Sequence, residues 1–124
     1  MPDEKQRVVV VGASSKPDRY SNRAVRLLVE HGHDVVPVHP AIGTIEGLPV
    51  AHKLSEIDGR VDTLTLYVSP MVSSVMQEDI IRMHPSRVLF NPGAENPPLR
   101  DALRSHGIDT EEVCTLVLLR TGQF

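Results

Sequence analysis

The chain has one cysteine, Cys114, so an internal disulfide is excluded. It has no tryptophan and only 3% aromatic residues, so its core must be built mainly from aliphatic side chains. No apolar run approaches membrane-spanning length. The opening Met1–Arg7 segment is polar and is followed by only four valines, which is not the pattern of a secretory signal. These absences together predict a cytoplasmic protein. The net charge is −3 and no run of five basic residues occurs, which weighs against nucleic acid and anionic membrane surfaces as partners. Two nucleotide fingerprints are missing as well. There is no G-x-G-x-x-G and no G-x-x-x-x-G-K-[ST]. No H-x-x-x-H or C-x-x-C spacing suggests a metal site.

What is present is an ordinary globular composition, 40% hydrophobic and 23% charged over 124 residues, enough for one domain with one core. Residues 1–6 are expected to be flexible. Val8-Val9-Val10-Val11 reads as a strand buried on both faces, followed by the turn Gly12-Ala13-Ser14-Ser15-Lys16-Pro17-Asp18-Arg19 and then a helical pattern. The chain continues in alternation. Strands are predicted at Arg7–Val11, Asp34–Val38, Thr63–Val68, Arg87–Phe90 and Ile108–Val113. One helix runs from about Ser21 to His31, with Gly32 as its stop. A second opens at Ser69-Pro70, carries Val72, Val75, Met76 and Ile80, and ends near His84-Pro85. A third opens at Asn96-Pro97-Pro98 and ends at Gly107. Residues 41–62 suggest a short edge strand near Leu48–Ala51 and a helical turn near Leu54–Ile57. Thr115–Arg120 fits a strand or a last helix. The expected fold is α/β: a mostly parallel sheet of five to six strands with helices on both faces.

In such a sheet, ligands bind beyond the carboxyl ends of the strands. The loops there are Gly12–Arg19, His39-Pro40, Ser69-Pro70 and Asn91–Asn96. Turn chemistry alone accounts for many of these residues, and capping is the first reading of Ser69 and Asn96. The Gly12–Ser14 turn, placed between a buried strand and a helix, reads instead as a phosphate cradle, with Lys16 and Arg19 supplying positive charge. After the second strand stands Val38-His39-Pro40, where an NAD site would place a carboxylate. Helix ends account for His31, His84 and His106, and only His39 falls on the ligand edge.

Several of these segments resemble the small stand-alone CoA-binding proteins, relatives of the CoA-binding domain of the succinyl-CoA synthetase alpha subunit. The resemblance covers nearly the whole chain. It rests on Val11-Gly12-Ala13-Ser14, Lys16-Pro17, Arg19-Tyr20, His31–Val38, Tyr67-Val68-Ser69-Pro70, Phe90–Asn96 and Cys114–Phe124. The last two segments look like a bacterial subgroup. The resemblance implies a single Rossmann-like domain that binds coenzyme A or an acyl-CoA. The Gly12-Ala13-Ser14 turn would hold the pyrophosphate, and Lys16 and Arg19, with Tyr20 beside them, would meet the phosphates. His39-Pro40 would lie near the adenosine end. Ser69-Pro70 and Asn91-Pro92-Gly93 would line the pantetheine side. His39 departs from the Asn found before this proline in many members.

The leading expectation is a non-catalytic or regulatory CoA-binding module, because no catalytic cluster stands out. An NADP-dependent oxidoreductase and an interaction subunit of an acyl-CoA ligase are the alternatives. Cys114 reads first as a small apolar residue, with a mixed disulfide to the CoA thiol as its functional alternative. The apolar tail Leu116-Val117-Leu118-Leu119 motivates a possible homodimer.

Overall fold

The computed structural model describes residues 4–124. The expectation of a flexible start falls partly on residues 1–3, which lie outside the described residues. Gln6, by contrast, is tied down. Its backbone N–H donates to His33 Nδ1, its amide donates to the Phe124 carbonyl, and its Oε1 accepts from the Thr63 hydroxyl.

The strands are β1 (Arg7–Val11), β2 (Asp34–Val38), β3 (Thr44–Ile45), β4 (Leu48–Pro49), β5 (Thr63–Leu66), β6 (Arg87–Phe90) and β7 (Asp109–Glu112). The helices are α1 (Tyr20–Glu30), α2 (Pro70–Ser74), α3 (Gln77–Met83), α4 (Pro97–Ser105) and α5 (Thr115–Arg120). Five strands form one parallel sheet in the order β2-β1-β5-β6-β7. This is the α/β, Rossmann-like architecture expected.

Strand alternation divides the core between the two faces of the sheet. Val8 and Val10 pack with Val25 and Leu28 of α1 and Leu119 of α5. Val9 and Val11 pack with Ile80 of α3 and with Leu99 and Leu103 of α4. Each fully buried aliphatic side chain contributes about 1.5–3 kcal/mol. The tail therefore forms a helix and spends its apolar residues inward. Leu116 and Leu119 are buried, and Val117 is half exposed.

The second predicted helix is broken into α2 and α3. Val75 is 83% exposed, so the apolar stripe is interrupted, while Ile80 is fully buried. Glu78 and Asp79 then favour a new helix start at Gln77. The predicted edge strand at residues 48–51 is also different. Leu48–Pro49 pairs with Thr44–Ile45 in a hairpin apart from the main sheet. Its two-residue turn, Glu46 (φ 51°) and Gly47 (φ 76°), has the twist that tight hairpins favour. Only Ala51 reaches the main sheet, through one parallel bridge to Val38. The helical turn near residue 54 is a 3₁₀ turn at Leu54–Glu56.

Candidate functional site

The chain leaves β1 for β2 on one side and later returns to β5 on the other, so strand order reverses between β1 and β5. A crevice forms at the carboxyl ends of such a pair. Gly12 starts its loop with φ +82°. A Cβ there would lie 2.7 Å from Val68 Cγ1 and 3.1 Å from the Tyr67 carbonyl oxygen, so only glycine lets the loops after β1 and β5 approach this closely.

The amides of Gly12 and Ala13 both donate to the Val38 carbonyl at 3.2 Å. They anchor the turn to β2 and do not point at a ligand. The Ser14 hydroxyl accepts from the Lys16 amide at 3.1 Å, which fixes the next step of the loop. Asn22, fully buried in α1, donates from Nδ2 to the Ser14 carbonyl at 2.8 Å and to Glu46 Oε2 at 3.1 Å. Arg26 donates to Asn22 Oδ1 and to the Pro17 carbonyl. The loop is thus held from its own helix and from the hairpin tip. Asn22, Arg26 and Glu46 are absent from the sequence expectation, because their roles depend on contacts between elements that no local pattern signals.

The start of α1 is left open. Arg19 occupies the N-cap position without a side-chain cap bond, and no acidic residue stands in the first turn. Arginine is not among the favoured caps, so the first amides and their partial positive charge remain available to an anion. Lys16 and Arg19 are exposed beside them, and neither has an ion-pair partner among the described residues.

His39 and Pro40 follow β2 at the same edge. His39 Nδ1 accepts from the amides of Ala41 at 3.0 Å and Ile42 at 3.2 Å. The proton of the neutral ring therefore sits on Nε2. An asparagine oxygen would accept the same turn amides, so histidine here does the work of an Asx turn. Ser69 is the N-cap of α2 with Pro70 at the first helical position, but its hydroxyl makes no cap bond. Asn96 caps α4 as expected, accepting from the Leu99 amide, and its Nδ2 also ties α4 to Pro70, Ser73 and Ser74.

At β6, the Asn91 side chain is spent internally. It donates to Thr65 Oγ1 at 2.6 Å and to the Leu66 carbonyl at 2.8 Å, and accepts from the Thr115 amide at 2.9 Å. Thr65 and Thr115 share a further hydroxyl bond at 2.8 Å. Asn91 therefore caps α5 from another strand. Gly93 has φ +91° and gives its amide to Glu95 Oε1.

Asn91 and Pro92 also line a cavity of about 340 Å³ with Tyr20, Tyr67, Cys114, Leu116 and Arg120. The Tyr67 hydroxyl is buried near Thr115 without a hydrogen bond of ordinary geometry, and burial pushes its phenol above the usual tyrosine range. Tyr67→Phe removes a poorly satisfied polar atom, and denaturant unfolding at neutral pH should show a gain of about 0.5–1 kcal/mol. The sign of the pH effect follows from the raised value. The wild-type contribution is intact below the unfolded phenol's pKa of about 10 and is lost as pH rises beyond it. Alkaline unfolding of Tyr67→Phe should lack that loss.

The fold and the edge together define a Rossmann-like α/β domain with a strand-order reversal between β1 and β5. The family comparison then specifies which one: residues 6–120 match the CoA binding domain, and the chain belongs to that family. Among curated proteins, an uncharacterized Bacillus subtilis (strain 168) protein, YneT, is 34% identical over 62 residues, covering 50% of this chain and 46% of that protein. The chain thus matches about half the length of that relative. A crystal structure of an uncharacterized protein is 35% identical with TM-score 0.90, covering 98% of this chain and 99% of that one. A Thermus thermophilus protein is 25% identical with TM-score 0.89, covering 99% and 93%. An acetyl-coenzyme A synthetase from Ca. Korarchaeum cryptofilum shares the fold at 22% identity and TM-score 0.72, covering 87% of this chain and 25% of that one.

Proposed function

We propose that the protein binds coenzyme A or an acyl-CoA at the carboxyl edge of its sheet, as a non-catalytic, regulatory module. The observation that carries this reading is the uncapped start of α1 at the strand-order reversal, flanked by the cations Lys16 and Arg19, which have no ion-pair partner among the described residues. The donor set fits the ligand. The first-turn amides of α1 and the two cations suit a pyrophosphate. His39-Pro40 lies toward the adenosine end. Ser69-Pro70 and Asn91–Gly93 lie toward the pantetheine. The Gly12–Ser14 turn acts through position, since two of its amides are spent on Val38.

Thermal unfolding with CoA, dephospho-CoA, NAD and NADPH tests the reading. CoA at about a hundred times Kd should add roughly 2.7 kcal/mol of stability. A shift with NADPH and none with CoA overturns it in favour of a reductase. Lys16→Ala and Arg19→Ala should each weaken CoA binding about tenfold by calorimetry, consistent with loss of a charge-assisted contact. Both side chains are exposed, so each substitution should leave stability within about 0.5 kcal/mol.

A further inference from the structure

The cavity at the ends of β5, β6 and β7 is larger than an irregular gap between side chains and is lined mainly by apolar groups. Tyr20 and Tyr67 present aromatic rings to it, Leu116 and Pro92 aliphatic surface, and Cys114 a half-buried thiol. Its one polar side chain besides the tyrosines and Arg120 is Asn91, whose amide is fully engaged with Thr65, Leu66 and Thr115. Polar donors are thus confined to the exposed Arg120 and Tyr20, while Tyr67, Pro92, Cys114 and Leu116 supply the apolar remainder of the wall. Its volume of about 340 Å³ lies at the low end of the roughly 300–1,000 Å³ typical of small-molecule sites.

The cavity is also joined to the anion site. Tyr20 is the first residue of α1, directly after the Arg19 N-cap, and it is part of the cavity wall. A ligand whose phosphates sit on the start of α1 and whose arm runs away from β2 reaches the cavity across the ends of β5 and β6. Adjacent strands are about 4.8 Å apart, so the path from β1 to β6 is on the order of 10 Å.

We infer that this cavity is an acyl subsite, which takes a short acyl chain carried as a CoA thioester. The inference rests on the CoA-binding reading above and adds a preference for acyl-CoA over free CoA. Long chains exceed the volume and are left in solvent.

Two measurements on the full chain test it. Calorimetry with CoA, acetyl-CoA, butyryl-CoA and hexanoyl-CoA should show affinity rising by up to about fourfold per buried methylene. At least about tenfold should separate acetyl-CoA from hexanoyl-CoA. Cys114, the only cysteine, reports on the cavity directly. N-ethylmaleimide labelling followed by mass spectrometry should slow with hexanoyl-CoA bound and stay near the ligand-free rate with CoA bound at equal occupancy. In Cys114→Phe, which fills the cavity, the dependence on chain length should flatten. If that variant fails to fold, the wild-type labelling decides. Equal affinity for all four ligands, or protection by CoA equal to that by hexanoyl-CoA, overturns the acyl subsite and leaves CoA binding standing. Absence of binding by CoA and all its thioesters overturns both readings.

Discussion

Gly12→Ala is expected to cost about 3 kcal/mol of stability and to abolish ligand binding. Two effects add. An L-residue held at φ +82° pays about 1–2 kcal/mol, because its Cβ crowds the following carbonyl. The new Cβ also lands 2.7 Å from Val68 Cγ1 and 3.1 Å from a backbone oxygen, a form of overpacking that costs about 1–3 kcal/mol. The backbone oxygen cannot rotate away as a side chain would. Relief requires the loops after β1 and β5 to separate, which moves the start of α1 and its two cations relative to the cavity. Urea unfolding should show a lower midpoint with an unchanged slope, and the melting temperature should fall by about 12 °C. A variant as stable as wild type that still bound CoA would mean that the close approach of the two loops is not needed.

Asn91→Ala should be nearly as damaging, at about 3 kcal/mol. The substitution removes the acceptor for the Thr115 amide, and an orphaned buried donor costs about 1–3 kcal/mol. It also leaves a void where the amide bridged Thr65 and Leu66. The consequence reaches the site because α5 begins at Thr115, and Leu116 and Arg120 on that helix line the cavity. Hydrogen exchange should show faster opening of α5 while β1 and β2 keep their protection. Equal loosening across the whole sheet would argue against Asn91 as a specific cap.

The contrast between these two positions shows what a sequence makes legible. Gly12 stands beside its own strand, and the turn it leads is visible in the four valines before it and the helical pattern after it, although its crowding by Val68 and Tyr67 is visible only in the fold. The strands β1, β2 and β6 are readable for the same reason, since continuous apolar runs mark burial on both faces. Asn91 is different. Its loop is visible as Asn-Pro-Gly, but its partners lie 25 residues or so away on β5 and α5, and only the fold brings them together. The Thr-Leu-Thr-Leu of β5 is similarly opaque. Its alternation suggests one wet face, yet all four residues are buried, because Gln6 and Thr115 supply the hydroxyl partners. The hairpin over residues 44–49 was beyond local reading too, since Glu46 matters through its contact with Asn22. The cavity walls come from α1, β5, β6 and α5, so no single segment announces them.

The two borders of the sheet are closed by different means. At β2, Ala51 bridges to Val38, and its amide and carbonyl are bonded to the Pro37 carbonyl and the His39 amide, which occupies that end of the ladder. At β7, Asp109, Glu111 and Glu112 are exposed along four residues, with Glu111 and Glu112 held by Arg87 and Arg100. Chain coverage guards one border and like charge the other. A strand from another molecule therefore meets the Ala51 bridge at one border and a row of carboxylates at the other, and both disfavour extension of the sheet.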